Sequence, residues 1–226
     1  MLDLRIALAQ RPYPGRGLVV GRLSSGAEVV VYFLTGRSEA SRARYLRPND
    51  LADIEVVDTS GGPHDELRHY FALVRRGSWV VAGNGDQVEP IAKALSTGSD
   101  PVAAFSMHTY EPDPPIWTPR IWVAWNLDAD TLPMLGSAQR SDRSGEPDRA
   151  LWLSELHQVG AGRLLTTYCG TVADVVTCRE PLDIAVEAET VEQLLDQVWN
   201  GLDSDLRVGA FASEVRDMRS LLLRGQ

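Results

Sequence analysis

The sequence predicts an α+β fold. Short apolar segments separated by Gly, Asn and Ser turns come in runs. A pair of short helices interrupts them mid-chain, and one strongly amphipathic helix follows near the C-terminal end. Strands and helices that cluster in this way, instead of alternating, argue against a parallel βαβ sheet. The 226 residues, 44% of them hydrophobic, suffice for a substantial core. With no internal repeat or low-complexity tract, residues 1–226 read as a single domain.

Gly17 to Arg22 and Glu28 to Thr35 are dense in Val, Leu, Tyr and Phe, with Ser24-Ser25-Gly26 between them, and predict a β-hairpin. A strand at Ile54 to Asp58 runs into the turn Ser60-Gly61-Gly62-Pro63. Tyr70 to Arg75 and Ser78 to Ala82 flank Arg76-Gly77 as a second hairpin, closed by Gly83-Asn84-Gly85. The spacing of Asp86 and Glu89 predicts a capping box for a helix from Gln87 or Pro90 to Leu95. Asp100-Pro101 starts a second helix that ends before Pro112. Ile121 to Trp125 is a strand, and Thr131 to Ser137 its return.

Residues 139–149 are almost free of apolar side chains and predict an exposed loop. Strands are expected near 151–157, 163–169 and 172–178. The clearest helix is Thr190 to Leu202, where Thr190 and Gln193 form a capping box and Val191, Leu194, Leu195, Val198, Trp199 and Leu202 share one face. Leu206 to Ala212 is the last strand. That helix face is core and carries no ligand chemistry.

The net charge of −9 argues against general affinity for a nucleic-acid backbone, so no nucleic-acid partner is expected. No apolar run is long enough to span a membrane, and Met1-Leu2-Asp3-Leu4-Arg5 lacks the pattern of a secretion signal, which predicts a cytoplasmic protein with no membrane partner. Cys169 and Cys178 have no histidine between or beside them, so they read as reduced thiols and no metal site is expected. Glycine-rich phosphate loops, His-Glu-x-x-His and Gly-x-Ser-x-Gly are absent. His64, His69, His108 and His157 are scattered and read as surface or packing residues.

Against the acidic background, residues 36–47 set Arg37, Arg42, Arg44 and Arg47 against Glu39 alone, at the end of a predicted strand. This is either a solvated surface or a place for an anion. Tyr110-Glu111-Pro112-Asp113-Pro114-Pro115 is stiffened by its prolines. It reads equally as a connector and as a rigid mount for a carboxylate near Arg120, the arrangement a general base with an orienting cation needs.

Five segments now fall into register: Tyr13-Pro14-Gly15-Arg16-Gly17, Gly36-Arg37-Ser38 with Arg42, Asn84-Gly85, Tyr110-Glu111 with Asp113, and Thr118-Pro119-Arg120-Ile121. In order and spacing they resemble the archaeal-type IMP cyclohydrolase family, over residues 12–125. The resemblance implies a four-layer αββα sandwich, Ntn-hydrolase-like but without a processed N-terminal nucleophile, consistent with a chain that opens Met1-Leu2.

It also implies a purine ribonucleotide-like small molecule as partner and closure of a formamido-imidazole-carboxamide ribonucleotide to IMP, with no cofactor. Arg37, Ser38 and Arg42 would hold the 5′-phosphate, with Gly85 and Tyr110 at the ligand. Glu111 would move the proton, while Tyr70, Asn84 and Arg120 orient the carboxamide and polarise the formyl oxygen.

One stretch departs from the pattern. The family continues after Asn84-Gly85 with a His-Thr-Asp run, and this chain has Asp86-Gln87-Val88-Glu89; Phe71 follows Tyr70 where Asn is usual. The acidic loop leaves open another purine-like substrate, or nucleotide binding without turnover. Whether the protein is a homo-oligomer is not written in the sequence.

Overall fold

A run of apolar residues with period two pairs only if its neighbours offer the same pattern, and here the pairing closes two seven-stranded sheets. The computed structural model describes residues 1–61, 65–129, 131–156 and 158–225. His64, His157, Gly62 and Pro63, named above as histidines and turn residues, lie outside them.

In chain order the elements are β1 (Leu2–Asp3), α1 (Leu4–Ala9), β2 (Arg16–Arg22), β3 (Glu28–Thr35), α2 (Glu39–Arg42), β4 (Arg44–Pro48) and β5 (Ile54–Asp58). Then come β6 (Tyr70–Arg76), β7 (Trp79–Gly83), α3 (Val88–Ser96), α4 (Pro101–Ser106), β8 (Arg120–Asn126) and β9 (Met134–Arg140). The chain closes with β10 (Pro147–Leu153), β11 (Ala161–Thr166), β12 (Leu182–Ala185), α5 (Val191–Gly201), β13 (Arg207–Glu214) and β14 (Leu222–Gly225).

One sheet has the order β1-β12-β11-β2-β3-β13-β14 and the other β10-β9-β8-β7-β6-β5-β4. The short β1–β12 pair is parallel, and the hairpins β2–β3 and β6–β7 are antiparallel. Alternation along each strand divides its side chains between two faces. Leu18, Val20, Tyr32 and Leu34 of the first sheet meet Ile54, Val80, Ile121 and Val123 of the second in a shared core. Val19, Val31 and Phe33, on the opposite face of the first sheet, pack with Leu4, Leu8, Leu194 and Val198 of α1 and α5. Val74, Val81 and Trp122 pack outward on Ile91, Leu95 and Phe105 of α3 and α4. The α+β class stands, with the two sheets face to face and helices on their outer faces. Among the described residues no helix is long and apolar enough to cross a membrane.

Three expectations need correction. The 139–149 loop is shorter than expected: β9 runs to Arg140, β10 starts at Pro147, and only the exposed turn 141–146 lies between them, closed by Ser141 N–H donating to the Glu146 carbonyl at 2.9 Å. Its polarity reflects an edge strand, since β10 ends the sheet. No strand forms at 172–178. A turn with Thr171 N–H on the Asp174 carbonyl bends the chain there, leaving one bridge between Tyr168 and Thr177.

Asp86 and Glu89 do not build a capping box: the N-cap of α3 is Gln87, without a side-chain cap bond, and the two carboxylates bind Arg120 and Arg76 instead. Beyond these, β1, α1, α2, β4, β12 and β14 are elements without a sequence expectation. Asp3 caps α1 by accepting from Arg5 and Ile6 N–H, a signal readable in hindsight.

Candidate functional site

Antiparallel pairing brings the starts of β2, β6 and β8 and the ends of β3, β7 and β11 to one end of the two sheets. The residues that carry charge collect there, at the mouth between the sheets.

Arg16 opens β2. Its backbone N–H donates to Thr167 Oγ1 at 3.1 Å, and Thr167 N–H donates to the Arg16 carbonyl at 2.8 Å. Gly15 before it has φ +70°, and a Cβ there would fall 2.3 Å from Thr167 Oγ1, so only glycine lets the two segments close. The Arg16 guanidinium, 8% exposed, donates from Nη2 to Glu111 Oε2 at 2.9 Å, and the Glu111 side chain is 4% exposed. Glu111 N–H is tied to the Thr118 carbonyl. Asp113 accepts from Thr118 N–H at 2.7 Å and from its hydroxyl at 2.5 Å. With its hydrogen directed at Asp113, the Thr118 hydroxyl accepts from Tyr168, whose ring stacks on Tyr13.

Burial raises the Glu111 carboxyl above its ordinary value of 4.5 and the Arg16 charge draws it back down. Burial also opposes the charge of Arg16, but Glu111 with Tyr70, Tyr168 and Tyr32 outweighs it, and the guanidinium stays charged. Burial pushes the Tyr168 phenol up to about 12, so it remains a proton donor. Glu111 Oε1 is buried and unpartnered.

Arg120, at the start of β8, donates from Nη1 to the carbonyls of Thr109 at 3.0 Å and Tyr110 at 3.3 Å, and from Nη2 pairs with Asp86. Its Nε is buried and unpartnered. Gly85 lies between: a Cβ there would sit 3.4 Å from Arg120 Nε and 3.6 Å from Glu111 Oε1. With Gln87 Oε1, 2.6 Å from the same point, three unpartnered polar atoms thus surround a space left by the missing side chain of residue 85.

The cavity has two lobes that share Asp65, Leu67 and Arg68. The inner one, about 250 Å3, is lined by Arg16, Arg37, Ser38, Arg44, Glu111 and Tyr168, among others. The outer one, about 980 Å3, is lined by Asp86, Arg120, Tyr110, Trp117, Thr109 and Glu66, among others. Trp117 holds φ +54°, a left-handed conformation that costs a non-glycine residue about 1–2 kcal/mol.

Of the expected site residues, Arg37, Ser38 and Glu111 meet in the inner lobe and Arg120 and Tyr110 in the outer, with Gly85 at their junction. The Tyr110 hydroxyl is spent on the Gly145 carbonyl at 2.7 Å. Arg42 is exposed on α2 and lines neither lobe, while Arg44, held by Ser41 and Thr35 carbonyls, faces the inner one. Asn84 is buried as a brace between β7 and β8: its amide donates to the Pro119 carbonyl and accepts from Ile121 N–H at 2.6 Å. The Tyr70 hydroxyl meets that of Tyr32 at 2.7 Å in the inter-sheet core, and its ring lines a side pocket with Glu66 and Asp86.

Arg44, Arg68 and Tyr168 had no role expected of them, and neither had Arg16. A charged residue opening an apolar strand was a readable signal for Arg16. Tyr168 had none, because its partners lie far away in sequence. Among the described residues no group of His, Cys, Asp and Glu is placed to hold a metal ion.

The chain matches the family of the IMP cyclohydrolase-like protein over residues 13–219, nearly its whole length. The chain belongs to that family. The match extends well past residue 125, where the recognisable motifs stop, and so takes in Thr167 and Tyr168 of the candidate site. A search of curated proteins finds no match to the chain.

Proposed function

We propose that the protein is a cyclohydrolase that interconverts a formamido-imidazole-carboxamide ribonucleotide and IMP, in purine nucleotide synthesis. The observation that carries this reading is the buried Arg16–Glu111 pair, whose free carboxylate oxygen faces the same gap as Arg120 Nε. Membership of the family supports a cyclohydrolase role. Sheets packed face to face with helices outside agree with the Ntn-hydrolase-like sandwich that the resemblance implies. A cytoplasmic location goes with this reading.

The carboxamide nitrogen is a weak nucleophile, so holding it against the formyl carbon and meeting charge on the formyl oxygen are the tasks that matter. In this reading the 5′-phosphate lies at Arg37, Ser38 and Arg44, guanidinium being suited to two-pronged contacts with phosphate oxygens. Attack forms the C–N bond, and one N–H proton passes through Glu111 to the formyl oxygen; Arg120 orients the carboxamide and polarises that oxygen. The C–O bond then breaks, and the departing hydroxyl takes up the formamido nitrogen's proton to leave as water. Asn84 and Tyr70 act as positioning residues, Asn84 through the β7–β8 junction and Tyr70 through Tyr32 and Arg16.

The test is to incubate the protein with IMP and with the formamido precursor and follow the ultraviolet change. Turnover in either direction is expected. No turnover of either, with no thermal shift from IMP, would overturn the reading. One observation favours a second reading, another purine-like ring: Asp86, in the departed loop, already pairs with Arg120.

A further inference from the structure

Arg120 faces two carboxylates with opposite surroundings. Glu111 approaches across the Gly85 gap, while Asp86 pairs directly with Nη2 and stays 41% exposed against 9% for the arginine side chain. Asp86 has no evident duty in the helix that follows, because α3 is entered through Gln87 without a side-chain cap. It lines the outer lobe beside Tyr110 and Arg120, where a ligand's ring substituent would reach Arg120.

An unopposed, nearly buried guanidinium prefers a ligand carboxylate, which it can grip with two hydrogen bonds. With Asp86 on one side and Glu111 on the other, a ligand carboxylate at Arg120 would meet two like charges, whereas a neutral carboxamide would not. Specificity built on such a repulsive element needs no added contact to the favoured ligand.

We propose that Asp86 is the specificity-determining residue at this end of the site: it neutralises Arg120 so that a ribonucleotide with an uncharged carboxamide is accepted and one with a carboxylate is refused. The proposal rests on the cyclohydrolase reading for the orientation of the ligand.

The experiment measures Kd by calorimetry for 5-aminoimidazole-4-carboxamide ribonucleotide and for its 4-carboxylate counterpart, which share ribose and phosphate. The wild-type protein should favour the carboxamide at least about tenfold. Asp86→Asn and Asp86→Ser should erase at least about tenfold of that preference by tightening the carboxylate alone, and Asp86→Glu should keep it. A preference unchanged in both neutral variants, or both ligands tightening equally, overturns the inference while leaving the cyclohydrolase reading intact. Failure of the wild-type protein to bind either ribonucleotide overturns both. Should Asp86→Asn not fold, Asp86→Ser with Asp86→Glu decides the question, and loss of folding in both neutral variants makes Asp86 structural and refutes the proposal.

Discussion

Two arginine–carboxylate pairs flank the gap at Gly85, and they differ in what their carboxylates see. Arg16 and Glu111 are both sealed, at 8% and 4% exposure, whereas Arg120 is nearly as buried but its partner Asp86 is open to solvent. The lobes around them differ in the same sense. Arginines dominate the inner lining, with Arg16, Arg37, Arg44 and Arg68 against Glu111, Asp113 and Asp65. Carboxylates dominate the outer, with Asp58, Asp65, Glu66 and Asp86 against Arg68 and Arg120. A buried pair carries a desolvation cost that is offset only by close geometry, whereas a half-open pair keeps one charge in water and carries less of it. Similar residue types therefore do different work, and the environment assigns it.

The sharpest way to break the inner pair is Glu111→Gln, which keeps shape and removes the exchangeable charge. Turnover should fall by on the order of a thousandfold in a single-turnover assay, with IMP affinity kept within a few-fold. Equal loss of both would make Glu111 structural.

Arg16→Met acts on the other partner. Stranding a buried carboxylate costs about 3–5 kcal/mol, read from denaturant midpoints near neutral pH. The sign with pH follows from Glu111, whose carboxyl is raised above 4.5 by burial and drawn down by Arg16. A raised carboxyl contributes stability that is full below 4.5 and is lost as pH rises through its folded value. Removing Arg16 raises that value further. The deficit of the variant should therefore shrink in acid and grow toward neutrality, and a deficit that does not change with pH would refute the coupling.

Filling the space between the pairs is milder. In Gly85→Ala the new Cβ would meet Gln87 Oε1 at 2.6 Å and crowd Arg120 Nε at 3.4 Å. Overpacking of about 1–3 kcal/mol is expected, with kcat reduced about 10- to 100-fold. The smallest effect belongs to Tyr168→Phe, which removes the donor to Thr118 but leaves the Thr118–Asp113 bond. A cost of about 1 kcal/mol in thermal or denaturant unfolding is expected.

Legibility from sequence follows how local each signal is. The β2–β3 and β6–β7 hairpins and α5 were readable because period, turn residues and caps are contiguous. The polar hairpin turn and edge strand around 141–149 read as a loop, because an edge strand need not bury alternate residues. Asp86 and Glu89 had capping spacing, but Arg120 and Arg76, distant in sequence, offered them stronger partners. Within the candidate site, Glu111, Arg37 and Arg120 stood out through rigid or charged local context. Arg44 took the cavity-facing place expected of Arg42, since the four-residue α2 turns Arg42 outward. The Thr167–Arg16 and Tyr168–Thr118 contacts span 151 and 50 residues and had no local trace.

The mouth between the sheets has one more consequence. Arg16 belongs to one sheet and Tyr168 follows its strand β11, while Glu111 and Arg120 lie on the segment that enters the other, so the complete constellation arises only when the sheets are docked. A ligand that bridges them binds the assembled protein and not its separated halves. At a concentration of a hundred times its Kd it would add about 2.7 kcal/mol to the assembled state. In the proposed reading the nucleotide would then serve as a tether between two layers as well as a reactant, and unfolding would become a titration of site occupancy.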